Sequence, residues 1–302
     1  MVGCGGWVSD PSDPNNVNTE KRIRNELDKP TGELTKADLK KVMSLTLSYY
    51  TEVDQLTDVP KELEKLTQLT TLNLARNKLT NVKGLEKLTQ LTVLELSNNQ
   101  LTDVKELAKL TQLKWLSLQG NKLTDVKGLE RLTKLEKLTL YKNQLTEVPK
   151  ELENLTQITY LNLGRNKLTS VKGLEKLTQL TNLSLQGNKL TDVTGLEKLT
   201  QLTTLNLISN HLTDVKGLEK LTQLKVLDLA ANQLIDVKGL ERFTQLKQLS
   251  LTNNQLTDVK GLEKLTQLKV LYLSDNPDLA KAQIAELQKA LPKCQISSNP
   301  TK

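Results

Sequence analysis

Residues 66–87 read L-T-Q-L-T-T-L-N-L-A-R-N-K-L-T-N-V-K-G-L-E-K, one copy of a unit that fills most of the chain. Aligning the copies on one asparagine gives Asn77, Asn99, Asn121, Asn143, Asn166, Asn188, Asn210, Asn232, Asn254 and Asn276. The interval is 22 residues throughout, except for 23 between Asn143 and Asn166. In T-L-N-L the leucines alternate with polar residues, the period of a half-buried strand. One strand per copy, stacked side by side, predicts a parallel sheet. The asparagine follows where the chain turns inward, and there its amide can satisfy backbone groups of its own turn and of a neighbouring copy. The glycine of V-K-G-L (Gly84, Gly128, Gly173, Gly195, Gly217, Gly239, Gly261) suits a tight turn with positive φ. The L-E-K-L-T-Q-L stretch that follows has room for a turn or two of helix. A lone copy cannot bury its own apolar side chains, so neighbours must stack and the ends need lids.

Candidate lids stand at both ends. Asn18-Thr19-Glu20 offers a helix N-cap, with Ile23 and Leu27 on one face until Pro30. Thr35-Lys36-Ala37-Asp38 has the form of a capping box opening a second short helix through Leu39 and Val42. Leu45 and Leu47 mark a first, degenerate strand, followed by extra residues from Tyr49 to Asp54. After Asn276-Pro277-Asp278, a helix carrying Leu279, Ile284, Leu287 and Leu291 is expected to stop at Pro292. Cys294 and Ile296 are expected to tuck under the last repeat, Cys294 as a small buried hydrophobe. The expected division is a flexible tether over 1–17, a helical N-cap over 18–42, the repeat array over 43–277 and a C-terminal cap over 278–302.

Composition narrows the chemistry. Of 302 residues, 37% are hydrophobic but only 3% aromatic, with a single Phe, so leucine supplies most of the core. The net charge of +7 comes from 42 basic and 35 acidic residues interleaved along the repeats rather than gathered in one stripe, which argues against nucleic acid. No run reaches the length of a transmembrane helix. Cys4 and Cys294 sit near opposite ends and His211 is the one histidine, which argues against a metal site or a Cys–His nucleophile. Lysines such as Lys127, Lys216, Lys238 and Lys260 follow Asp125, Asp214, Asp236 and Asp258 by two residues, and these columns read as a solvated surface. No catalytic constellation emerges, and neither an enzyme nor a cofactor is expected.

The pattern L-x-x-L-x-L-x-x-N-x-L resembles that of leucine-rich repeat proteins, and L-T-D-V-K-G-L-E-K-L-T-Q-L is similar to the bacterial 22-residue class of the internalins. The resemblance covers residues 43–277, and the N-terminal helices also look like an internalin-type cap. It implies an α/β leucine-rich repeat solenoid with a curved parallel sheet on the concave face and short helical or irregular convex segments. It further implies a non-enzymatic module that binds proteins on that concave face. Two variants, Pro60–Leu63 and Pro149–Leu152, carry Pro where other copies have Lys and add one residue before the next strand, which is expected to alter curvature locally. Glu106 replaces the turn glycine of one copy, and Phe243 replaces a core leucine.

Among near-identical repeats, specificity resides in the positions that differ. Trp115, Tyr141 and Tyr160 fall in three consecutive copies at outward strand-face positions, with Lys137, Thr139, Asn162 and Arg165 beside them. Aromatics with adjacent basic groups have the character of interface anchors, and these seven residues are the expected protein-binding set. The competing reading is that the rings merely cover the sheet as cross-strand neighbours. Tyr272, beside the C-terminal lid, reads as packing rather than contact. At the start, Met1-Val2-Gly3-Cys4 resembles the end of a bacterial lipoprotein signal without the basic and apolar regions that precede one. Either Cys4 is a lipid attachment point, the membrane link of an envelope-associated bacterial protein, or it is incidental and the protein is a cytosolic scaffold for a signalling enzyme such as a phosphatase. A consensus array with no ligand is the third reading. A monomer with one protein partner is expected.

Overall fold

The computed structural model describes residue 7, residues 12–48 and residues 55–299. Cys4 and the extra residues Tyr49 to Asp54 lie outside the described residues. The chain divides into two compact units, residues 1–144 and 145–302. The second begins with the repeat that carries the additional residue.

The first unit opens with helix α1 (Pro14–Glu26). It starts four residues before the expected cap at Asn18: Asp13 is the N-cap, accepting from the Asn15 N–H at 2.9 Å, and Pro14 sits where a missing N–H does no harm. Trp7, inside the expected tether, is instead buried, and its N–H donates to the Leu34 carbonyl at 3.0 Å in an antiparallel bridge. The Gly-, Pro- and Asn-rich composition around it concealed one large ring with area to bury. Helix α2 (Lys36–Leu39) has the expected reciprocal capping box between Thr35 and Asp38, and Lys29 pairs with Asp38 at 2.7 Å, which holds that carboxyl well below its ordinary pKa. Val42 lies beyond the helix end but is buried.

The strands of the first unit are β1 (Ser44–Thr46), β2 (Thr71–Asn73), β3 (Val93–Glu95), β4 (Trp115–Ser117) and β5 (Lys137–Thr139), each pairing in parallel with the next. The second unit holds β6 (Tyr160–Asn162), β7 (Asn182–Ser184), β8 (Thr204–Asn206), β9 (Val226–Asp228), β10 (Gln248–Ser250), β11 (Val270–Tyr272) and β12 (Gln295–Ser297), again parallel in sequence order. Register is set by the leucines. Leu72, Leu94, Leu116 and Leu138 face one another across successive strands of the first unit, and all are fully buried. Slipping a strand by one residue would turn its whole apolar set outward. Phe243 takes a leucine's place in the core.

The asparagine ladder is the polar counterpart of this core. Asn99 accepts the Leu79 N–H of the preceding repeat on Oδ1 at 3.0 Å. Its Nδ2 donates to the Leu74 carbonyl of that repeat at 2.9 Å and to its own Leu96 carbonyl at 3.1 Å. The same bonds recur at Asn121, Asn188, Asn210, Asn232, Asn254 and Asn276.

The return segments are tighter than α-helix. After the glycine the chain forms three-residue 3-10 helices, as at Leu85–Lys87 and Leu129–Arg131. Gly84 and Gly128 have φ near 96°, and each donates its N–H to a glutamate two residues on, Glu86 and Glu130, at 2.7 Å. The variant repeats replace this turn by five-residue 3-10 helices over Lys61–Lys65, Lys105–Lys109 and Lys150–Asn154. Pro60 and Pro149 stand at the lysine position with no glycine after them, and Glu106 stands at the glycine position, so the left-handed turn is absent and the helix starts earlier. The Asp columns do local work as well. Asp103, Asp125, Asp214, Asp236 and Asp258 each accept the backbone N–H two residues on.

At the C-terminal end, α3 (Lys281–Ala290) is shorter than the sequence suggested, with Leu279 before it and Leu291 at its cap, both buried. Cys294 is a buried free thiol, and burial pushes its pKa up. Beyond it the chain forms β12 and extends the sheet by one further strand, which the leucine pattern does not announce because only Ile296 occupies the inward position.

Candidate functional site

The residues flanking each central leucine are mostly half-buried, with Ser117 and Ser250 buried, and the turn that follows exposes more. The seven expected binding residues divide between the two units. In the first, β4 and β5 place Trp115 beside Lys137 and Ser117 beside Thr139. Trp115 is half-buried and Lys137, its register partner on the adjacent strand, is exposed. Val93 flanks Trp115 on its other side. Tyr141 follows β5, its carbonyl accepting the Gly120 N–H at 2.8 Å and its ring half-buried. Lys114 and Glu136, at equivalent positions of adjacent repeats, form an ion pair at 3.3 Å at the start of these strands.

One polar atom here lacks a partner. The Thr139 hydroxyl oxygen is buried with no hydrogen bond among the described residues, although the residue itself is half-buried on the strand face. A hydroxyl in that state has unused capacity both to donate and to accept.

In the second unit, Tyr160 opens β6 and is 38% exposed, with Asn182 and Thr204 on the next two strands. Asn162 is less available than its position suggests: Oδ1 accepts the Gly164 N–H at 2.9 Å. Asn73, Glu95, Asn206 and Asp228 fold back on the i+2 N–H in the same way. The recurrence of Asn, Asp and Glu between the two leucines was the available signal for this, and reading only the variable residues passed over it. Arg165 has φ of 50°, donates its N–H to the Gln186 carbonyl at 2.7 Å and is exposed. Tyr272, expected to pack, is 39% exposed, because its neighbours Ser250 and Ser297 are too small to cover the ring.

Asp228 is the carboxylate whose pKa burial raises, against the lowering by its hydrogen bonds to Ala230 and Ser250. His211 is exposed, with Nδ1 3.5 Å from the Gln233 amide. Among the described residues no group of three or more His, Cys, Asp or Glu side chains could hold a metal ion, and no helix is long and apolar enough to cross a membrane.

A family model described as leucine-rich repeats in two copies matches residues 67–109, 89–131, 200–242 and 244–289, and a second leucine-rich repeat model matches residues 127–190. No curated protein matches the chain. Among solved structures, an internalin (inlF) of Listeria monocytogenes shares 27% identity with a TM-score of 0.80, covering 99% of this chain and 95% of its own. Internalin C2 of the same organism shares 27% identity with a TM-score of 0.57, over 85% of this chain and 95% of that one. The plant peptide hormone receptor RGFR1, solved in complex with RGF2, has the same fold at 23% identity and a TM-score of 0.61, over 86% of this chain and 48% of the receptor chain.

Proposed function

The chain belongs to the leucine-rich repeat family and is of internalin-like type, and from that premise we propose that it is a protein-binding module acting through the outward faces of its strands. The observation that carries the reading is the placement of large, partly exposed rings on the strand face with polar residues beside them. Trp115 and Tyr141 lie with Lys137 and Thr139 on the first unit, and Tyr160 lies with Asn162 and Arg165 on the second. Rings of this kind lose little conformational entropy on binding and bury large apolar area, and one anchor contributes about 2 kcal/mol or more. The module chemistry needs no catalytic group, and we read the protein as a non-enzymatic monomer with a protein partner.

In this reading the module works at the bacterial envelope, tethered through a lipid on Cys4. The likeness to Listeria internalins and the residues around Cys4 support that placement. Palmitate labelling of wild type and Cys4→Ala in a bacterial host tests the anchor; equal labelling of the two refutes it.

The binding reading is tested with three immobilised proteins: wild type, Trp115→Ala/Tyr141→Ala and Tyr160→Ala, all first shown to melt alike. Each is exposed separately to envelope and cytosolic extracts. A protein retained by wild type from the envelope extract and lost by one or both variants supports the reading. Equal retention by all three refutes the aromatic face, and retention only from the cytosolic extract refutes the envelope placement.

A further inference from the structure

The position immediately before each strand is threonine at Thr70, Thr92, Thr159, Thr181 and Thr203, but lysine at Lys225, Lys247 and Lys269 in three consecutive repeats of the second unit. The threonines have a structural task. Thr181 donates its hydroxyl to the Thr159 carbonyl at 3.1 Å, and Thr203 to the Thr181 carbonyl at 3.2 Å. The lysines forgo that bond while keeping the backbone arrangement: Lys225, Lys247 and Lys269 donate their N–H groups to Thr203, Lys225 and Lys247 at 2.8–2.9 Å. Strands β9, β10 and β11 are neighbours, so the three side chains leave the sheet about 4.8 Å apart. All three are exposed, and Lys293 adds a further exposed cation just before β12.

None of the three lysines has an ion pair or a side-chain hydrogen bond among the described residues. The contrast is Lys114 of the first unit, at the same repeat position, which meets Glu136 of the next repeat at 3.3 Å. Like charges side by side on neighbouring strands oppose folding. The second unit therefore keeps a self-repelling column where a bonded hydroxyl serves in its sister repeats.

Next to this column on the strand face lie Val226, Gln248 and Val270, half-buried and uncharged. The carboxylate of Asp228, two residues further along β9, is turned back onto the Ala230 N–H at 3.1 Å. A cationic row beside an apolar row fits a polypeptide better than a nucleic acid or a sulfated glycan, which would bring charge but no apolar side chains for Val226 and Val270. An extended chain advances about 6.6–7 Å per two residues, so alternate carboxylates fall within reach of flexible lysine stems set about 4.8 Å apart. We propose that Lys225, Lys247 and Lys269 form a docking surface for an acidic, extended polypeptide segment laid across β9, β10 and β11. Its carboxylates meet the lysine column and its intervening side chains rest on Val226 and Val270. This surface is separate from the aromatic residues and does not depend on them.

The test uses a fluorescent peptide of alternating glutamate and valine, read by anisotropy at low salt against the full chain. Lys225→Thr/Lys247→Thr/Lys269→Thr installs the residue of the sister repeats, and the corresponding triple Arg variant retains the charge. Wild type and the Arg variant are expected to bind saturably, with the Thr variant weaker by about tenfold or more and wild-type binding lost at high salt. The Thr variant is expected to melt at or above the wild-type temperature. Equal binding by the Thr variant, equal binding of a glutamine-for-glutamate peptide, or displacement of the peptide by a sulfated oligosaccharide at lower concentration would each overturn the proposal. So would a lower melting temperature of the Thr variant, which would make the lysines supports of the fold. Trp115→Ala/Tyr141→Ala and Tyr160→Ala should leave peptide binding unchanged, so this proposal and the aromatic reading can fail separately.

Discussion

Replacing Asn99 with alanine removes one rung of the ladder, and the hydrogen bonds around it allow the loss to be worked out group by group. The Leu74 carbonyl loses the Asn99 donor but keeps the Asn77 amide at 3.0 Å. The Leu96 carbonyl likewise keeps the Asn121 amide at 3.0 Å. The Leu79 N–H has no second acceptor among the described residues and is left bare in a buried site. One orphaned buried donor costs about 1–3 kcal/mol, while the carbonyls add little. Asn276→Ala is different. It strips the Leu256 N–H and also the Leu273 carbonyl, which receives no other amide among the described residues, so two groups are orphaned and the loss should be about twice as large. Urea unfolding gives the two free energies, and amide hydrogen exchange should show Leu79 opening in Asn99→Ala while its neighbours keep their protection. An Asn99→Ala variant within about 0.5 kcal/mol of wild type would refute the ladder argument, since that is the scale of a surface change. Unchanged exchange at Leu79, or a smaller loss in Asn276→Ala than in Asn99→Ala, would refute the group-by-group assignment.

Other substitutions probe the turns and the strand face. A Cβ on Gly128 would meet the Lys105 carbonyl oxygen at 2.8 Å and its Cα at 2.9 Å, whereas one on Gly84 would find nothing nearer than Val59 at 3.5 Å. Both have φ near 96°, so Gly84→Ala should lose about 1–2 kcal/mol in urea unfolding from the backbone conformation alone, and Gly128→Ala at least about 1 kcal/mol more. Ala231 holds φ at 54°, and Ala231→Gly should raise stability by up to about 1 kcal/mol, because relief of the left-handed strain outweighs the added freedom of the unfolded chain. Asp228, with its pKa raised on folding, binds its proton more tightly in the native state, so its ionisation opposes folding. The penalty is absent below the unfolded pKa of about 3.9 and grows as pH rises through the folded value. Melting temperatures of wild type and Asp228→Asn should therefore agree near the acid end and diverge in favour of the variant towards neutrality; a constant gap would refute this.

The repeat was legible because identical leucines at a fixed spacing leave one way to bury them, and the spacing of Leu72, Leu74 and Asn77 prescribed strand, turn and rung together. The glycine turn was legible for the same reason, since V-K-G-L offers one residue suited to positive φ. Less visible was the residue before each rung, which is left-handed at Arg76, Asn98, Lys142, Arg165, Ser209, Ala231, Asn253 and Asp275 with no common side chain to mark it. There the ladder dictates the backbone and the sequence merely complies. Trp7 escaped because its partner Leu34 comes from a distant segment, and local composition spoke for a tether. On the strand face the variable residues could be named from sequence, but not their states. Asn162 turned out to be engaged with its own turn, and Thr139 to carry an unpartnered hydroxyl. The first could have been read from the recurrence of Asn, Asp and Glu at that position; the second depends on a rotamer that a repeat pattern does not encode.

The ladder bonds have a direction. Each asparagine reaches back: Asn99 completes Leu79 and Leu74, Asn121 completes Leu101 and Leu96, and Asn254 completes Leu234 and Leu229. A repeat is thus finished by the one synthesised after it. As the chain leaves the ribosome, the newest repeat carries backbone amides without partners until its successor arrives (Leu74, Arg76 and Leu79 while residues 93–99 are missing), and every earlier one is already closed. Growth from the N-terminal lid outward then matches the order of translation, with the unfinished edge confined to a single repeat at a time. Trimming the array back from its C-terminal end would recreate that open edge at every cut, and trimming from the other end would leave the first asparagine with an amide that has lost its acceptor in the missing repeat.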